Sequence, residues 1–345
     1  MDSLWLWTIF NLFVLAMLAL DLGVFHRRAH AVSTREAAIW TAIWITLALT
    51  FNLGIWHFAG PRLALEFLTG YLIEKSLSVD NIFVFLIIFS YFKVPAKYQH
   101  RVLFWGILGA LVMRGVLIGA GAYLVERVDW IMYVFGGFLV LTAVRMAFHT
   151  GDSVEPANNP VLKLLRRLVP VTPEYRGQKF VVREQVEGGR RRWLATPLLV
   201  VLVVIETTDL VFAVDSIPAI FAVTREPFLV YSSNVFAILG LRALYFLLAG
   251  VVDRFVYLKY GLALVLAFVG VKMLIEDWIH IPIGISLGVV AVILVTSAAL
   301  SILTVRRRER AAGPTSADGS GTPPSDAPDA DTTAAPEEGI AGSRP

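Results

Sequence analysis

Nine apolar runs, each about as long as a bilayer is thick, constrain this chain more than any other feature. They fall at roughly 4–25, 37–59, 64–92, 102–124, 130–149, 196–222, 229–251, 257–275 and 281–304. A membrane helix needs about 20 mostly apolar residues. Hydrophobic residues make up 57% of the chain and charged residues only 17%, against about 25% charged in a soluble domain. A water-soluble core of this composition is excluded. The sequence predicts an all-α polytopic membrane protein of about nine transmembrane helices. The third and sixth runs are long enough to tilt or break. The first run opens Met1-Asp2-Ser3-Leu4 without a basic segment, so it is expected to be a span and not a secretory leader.

The formal net charge of +3 does not point to nucleic acid, because the basic residues lie in short inter-helix loops. With the loop after the first run taken as cytoplasmic, alternate connections hold 21 Lys and Arg on that side. The other side has three: Arg62, Arg127 and Arg225. Positive charge marks the cytoplasmic face. The expected topology therefore places the N-terminus outside and the C-terminus inside. The chain has no cysteine, hence no disulfides and no thiolate metal site.

The expected units are a two-helix segment over 1–63, a three-helix repeat over 64–149, a cytoplasmic loop over 150–195 and a second three-helix repeat over 196–276. A last span with a basic stop covers 277–310, and a disordered tail covers 311–345. Residues 161–169 read as a short basic amphipathic helix on the inner face, and Phe180-Val181-Val182 as a weak strand. The repeat rests on Glu74–Ile82 against Asp209–Ile217. Both place an acid six residues ahead of the aspartate in Val-Asp-(Asn/Ser)-Ile. Ile107-Leu108-Gly109 matches Ile238-Leu239-Gly240, Arg114 pairs with Arg242, Glu126-Arg127 with Asp253-Arg254, and Val144-Arg145-Met146 with Val271-Lys272-Met273. An odd number of spans per repeat, with a linker that does not cross, inverts the second repeat against the first. Inverted repeats with a site at their interface are a transporter architecture.

Charged groups inside a span cost about 2.5–3.5 kcal/mol each on insertion scales. Here the third run holds Glu74, Lys75, Asp80 and Asn81, and the sixth holds Glu206, Asp209 and Asp215. Arg114 and Arg242 fall mid-span in the fourth and seventh. Five carboxylates against Lys75, Arg114 and Arg242 leave two surplus negative charges, which suits a divalent cation or two protons. The alternative is a set of structural ion pairs with no ligand. Carboxylates, Asn81, Ser76, Ser78, Thr207 and Thr208 are hard oxygen donors, fit for Mn, Mg or Ca. All six histidines lie near span ends or in loops, which leaves no ligands for an intramembrane zinc protease, and no enzyme is expected. A continuous helix cannot aim Glu206, Asp209 and Asp215 at one ion. Pro218 is expected to break the helix beside Asp215 and so re-aim it.

At Glu74–Phe85, Asn159–Glu184, Trp193–Pro197, Glu206–Ala219 and Ser233–Arg242 the chain resembles the TerC family, over nearly all of residues 20–305. The resemblance implies a bacterial inner-membrane protein with a fold similar to the LysE transporter superfamily. It also implies tellurium resistance and, in Alx-like members, export of Mn2+, with acidic roles on Glu74, Asp80, Asp209 and Asp215. The leading expectation is a proton-coupled exporter of a divalent metal, which is cargo, with no permanently bound cofactor. Its metal ligands would be Glu74, Asp80, Asn81, Glu206, Asp209 and Asp215, with Lys75, Arg114 and Arg242 as compensating charges. The competing expectation is a tellurium-resistance scaffold that acts through protein partners docked on the loop 150–195. The topology is checked by reporter fusions. One placed after Arg310 should read cytoplasmic, and one in the 223–228 turn should read periplasmic.

Overall fold

A computed structural model describes residues 4–25, 33–128, 130–148, 167, 169–185, 191–249 and 257–311. The described residues up to Val305 form one compact unit. The helices are α1 Leu4–Phe25, α2 Thr34–Ala59, α3 Pro61–Tyr91, α4 Ala96–Arg127, α5 Ile131–Phe148, α6 Pro197–Phe221, α7 Pro227–Leu239, α8 Leu241–Leu248, α9 Leu258–Ile275 and α10 Ile283–Ala311. Every apolar run is helical, and the seventh is split into α7 and α8. Most of the amphipathic stretch 161–169, Asp253-Arg254 and the tail beyond 311 lie outside the described residues.

Six of the described stretches are long and apolar enough to cross a membrane by themselves. They are α2, α4, α5, α6, α7 with α8, and Ile283–Val305 of α10. The 31 residues of α3 fall short of that measure because Glu74, Lys75 and Asp80 sit in the middle of the helix. Those charges are tolerated because α3 is the central helix, packed against α2, α6, α7, α8 and α9.

Local chemistry sets the helix ends. Ser33 accepts the Glu36 N–H and caps α2, as N-cap serines do. A single residue, Gly60, separates α2 from α3. Its φ of +96° is one that side chains avoid, and its N–H reaches back to Ile55 and Trp56. Proline then opens α3, α6 and α7, where its missing N–H costs nothing.

Pro218 does not break its helix. α6 runs through it to Phe221. The proline lies one turn from the helix end, where the ladder is about to stop, and Ala222 N–H still bonds the Pro218 carbonyl at 3.1 Å. The interruption in this half of the chain lies instead at Gly240, between α7 and α8. A side chain there would meet Lys75 Nζ at 2.7 Å and Trp44 Cβ at 3.3 Å.

The strand expected near Phe180 is half of a hairpin. β1 (Val181–Gln185) pairs antiparallel with β2 (Arg191–Ala195), and only Thr196 separates β2 from α6. The segment ahead of it is tied to the α3–α4 turn. Tyr175 Oη donates to the Phe92 carbonyl at 2.7 Å, and Arg101 donates to Gln178 at 3.3 Å. The hairpin therefore sits at the end of the bundle where α3 stops and both α4 and α6 start.

Helix pairings cross between the two halves of the chain. α3 packs on α7 and α4 on α6, α3 meets α6, and α5 lies along α9. Exchanging α3, α4 and α5 with α6, α7–α8 and α9 maps this pattern onto itself. The α5–α9 contact brings backbone against backbone. A Cβ on Gly270 would lie 2.8 Å from the Gly136 carbonyl oxygen, and one on Gly136 would lie 3.0 Å from that of Gly270. Small residues permit such approach between membrane helices. Gly270→Ala should therefore destabilise the protein by roughly 1–3 kcal/mol, the usual range for overpacking, and Gly270→Val by more. Thermal unfolding in detergent reads this directly.

Candidate functional site

Helical spacing places Glu74, Ser78 and Asn81 on one face of α3, and Asp209 and Ser216 on one face of α6. Between these faces stands Arg114 of α4, only 2% exposed. Its guanidinium donates to Glu74 Oε1, to Asp209 Oδ2 at 3.3 Å and to Asp209 Oδ1 at 3.2 Å. It also donates to Asn234 Oδ1 of α7 at 2.9 Å and to Ser216 Oγ at 3.2 Å. Asn81 Nδ2 donates to Asp209 Oδ1 at 3.3 Å. Five N–H donors in a planar fork suit arginine to this task. The three charged groups sum to −1.

Beside this cluster lies a small enclosed cavity of about 30 Å3. Asp80, Asn81, Arg114, Asp215 and Ser216 form its polar wall, with Leu77, Phe212 and Leu266 among its apolar neighbours. A cavity of this size holds about one or two waters, so it admits an ion but no organic substrate. Asp80 and Asp215 are both half-buried. Thr142 Oγ1 of α5 donates to Asp215 Oδ1 at 3.2 Å, and Arg145 acts on the same carboxylate. Lys259 acts on Asp80.

Residues matched between the two sequence repeats thus meet in pairs. Glu74 and Asp209 share Arg114, Asn81 and Ser216 flank it, and Asp80 and Asp215 share the cavity. The six expected ligands do not form a single cage. Among the described residues, no three Asp, Glu or His groups converge closely enough to hold a metal ion. Glu206 lies apart, folded over Gly109 of α4, where a Cβ would fall 2.1 Å from its Oε1. On the continuous α6, Glu206 and Asp209 are near neighbours whose charges interact, while Asp215 lies on the opposite side of the helix from Glu206.

Of the other expected compensating cations, Lys75 acts on the charge of Glu74 but bonds a backbone carbonyl, and Arg242 lies elsewhere. Lys75 Nζ donates to the Ala237 carbonyl at 3.3 Å, in the last turn of α7, where carbonyls lack intrahelical partners. Arg242 Nη1 lies 3.1 Å from His100 Nε2, 14 residues and so about 21 Å along α4 from Arg114. The break at Gly240 restarts the chain as α8 near the beginning of α4, which carries Arg242 away from the carboxylates. Conversely, Asn234, Ser216 and Thr142 belong to the site although their roles were not read from the sequence. The available signal was an amide within the apolar run of α7, next to Ser232 and Ser233.

Residues 59–310 match the family described as "Integral membrane protein TerC family". The chain belongs to the TerC family. It is 53% identical over 301 residues to "Uncharacterized membrane protein STKORF319" of Myxococcus xanthus, an alignment covering 87% of this chain and 93% of that one. It is 49% identical over 318 residues to the "Putative membrane-bound redox modulator Alx" of Escherichia coli K12, covering 89% and 97%. An "Uncharacterized membrane protein" of Rickettsia bellii is 41% identical over 297 residues, covering 86% and 97%. No solved structure matches the chain. As a TerC protein it is an integral, multi-pass membrane protein.

Arg114 leaves a clear mark on stability. Removing one partner of a buried ion pair costs about 3–5 kcal/mol, because the charge left behind stays buried. Arg114→Ala should lose about that much, and adding Asp209→Asn should recover part of it. The measurement is thermal unfolding in detergent.

Proposed function

We propose that this TerC protein exports a divalent metal cation, most simply Mn2+, from the cytoplasm across the bacterial inner membrane in exchange for protons. The observation that carries this reading is the sharing of one ion-sized cavity by Asp80 and Asp215, matched residues of the two halves. Their carboxylates offer two negative charges to a dication, and the donors are hard oxygens, which favour Mn, Mg or Ca over Zn or Cu(I). Waters carried in with the ion complete its shell, as is usual for hard dications that dehydrate reluctantly.

The three-helix repeats, inverted with respect to each other, are part of the same proposal. Support comes from the hairpin. α3 ends and its sequence match α6 begins at the same end of the bundle, so the two run in opposite senses. The cross-packing of α3 on α7 and of α4 on α6 agrees with this. Two halves of opposite sense allow the cavity to open toward either side by exchanging their conformations. Nine spans, with the N-terminus outside and the C-terminus inside, complete the arrangement.

The name of the E. coli relative mentions redox modulation. A chain without cysteine has no thiol couple of its own; under this proposal, the supply of the exported metal is the route by which it would alter redox balance.

The test is Mn2+ flux in proteoliposomes. Asp80→Asn and Asp215→Asn keep size and remove charge. Each should cut flux by more than about a hundredfold, beyond the loss seen when an outer-shell group of a metal site is removed, with membrane insertion intact. Wild-type flux no greater than that of empty liposomes, or full flux in both variants, defeats the reading.

A further inference from the structure

Six buried side-chain N and O atoms have no hydrogen-bond partner among the described residues, and four of them sit on α3. They are Tyr71 Oη, Glu74 Oε2, Ser78 Oγ and Asn81 Oδ1. A buried polar atom left without a partner costs about 1–3 kcal/mol, and such atoms are normally paired. Four on one helix call for a common cause.

Their spacing supplies it. Steps of three, four and three residues keep all four within one quadrant of the helix surface. The stripe spans about 15 Å along the axis and is centred on residue 76, the midpoint of α3. It faces α7 and α6. Lys75 beside it reaches Ala237 of α7, and Asn81 at its end reaches Asp209 of α6. Successive positions rise by about 4.5–6 Å. One water bridging two oxygens, with about 2.8 Å to each, spans nearly that distance. All four residues are at most 3% exposed, so water on them is interior water, cut off from bulk solvent. The lower end of the stripe, Asn81, is itself part of the cavity wall.

We propose that Tyr71, Glu74, Ser78 and Asn81 hold a single file of ordered water along α3, and that this file is the route of the coupling proton, separate from the cation's place between Asp80 and Asp215. The route rests on the transport reading above, while the water file does not. The hydroxyls of Tyr71 and Ser78 both donate and accept, so a proton passes by exchange of hydrogen bonds. A hydronium at one end gives up its proton, each link hands one on, and water at the other end receives one. Nothing is consumed along the file. Glu74 Oε2 and Asn81 Oδ1 act as fixed acceptors that orient the waters, with Glu74 held in place through its other oxygen by Arg114.

Two measurements test the proposal. In X-ray hydroxyl-radical footprinting of the intact protein, radicals arise from bound water, so buried Tyr71 should be labelled. Tyr245, 1% exposed with its hydroxyl bonded to Gln99 Oε1 at 3.0 Å, should not. An unlabelled Tyr71 overturns the water file whether or not the protein transports metal. In proteoliposomes loaded with a pH dye, Tyr71→Phe removes one link and keeps the packing. Proton counterflow should fall by about tenfold, roughly 1.4 kcal/mol on its barrier, while Mn2+ binding is unchanged. Proton counterflow at the wild-type rate in this variant overturns the route. Wild-type protein that moves no Mn2+ overturns the transport reading and the proton route together, and leaves the water file to the footprinting result.

Discussion

Arg114 binds three helices to its own. One guanidinium holds a carboxylate from α3, a carboxylate from α6 and an amide from α7, all of them buried. Taking an arginine and two acids out of solvent is expensive, and mutual attraction repays that cost only when the geometry satisfies nearly every donor. Here most donors are satisfied. The neighbouring parts follow from this arrangement. Asp80 and Asp215 are set beside the fork because each is the chain neighbour of a residue in the cluster: Asn81, which bonds Asp209, or Ser216, which bonds Arg114. Arg145 acts on Asp215 and Lys259 on Asp80, so each cavity carboxylate also has a cation near it.

Much of this was legible in the sequence. The apolar runs became helices, and the third run's Glu74, Asp80 and Asn81 were marked as costly by burial alone. The match of Glu74 with Asp209, and of Asp80 with Asp215, anticipated which side chains meet. The period of 3.6 residues also forecast that Glu206, Asp209 and Asp215 could not share a ligand on one continuous helix, and they do not.

What the sequence concealed is tertiary. Arg242 resembles Arg114 in type and in rough position, but register within a helix pair is set by breaks. The break falls at Gly240, where Lys75 and Trp44 from other helices leave no room for a side chain. Pro218 looked like the stronger breaker, yet a proline within a turn of a helix end disturbs little. Asn234 was hidden because an amide in an apolar run gives no sign of its partner, which lies 120 residues earlier in the chain.

The hairpin before α6 carries a consequence for biogenesis. Its anchor, the hydrogen bond from Tyr175 to Phe92, joins residues 83 apart in the chain. The α3–α4 turn has already been synthesised when the ribosome reaches Tyr175, and β2 is completed one residue before α6 begins. The second half of the bundle therefore starts from a point already fastened to the first. The start of α6 is thereby held at the same end of the bundle as the α3–α4 turn, so the loop ahead of α6 also fixes where the second half of the chain begins.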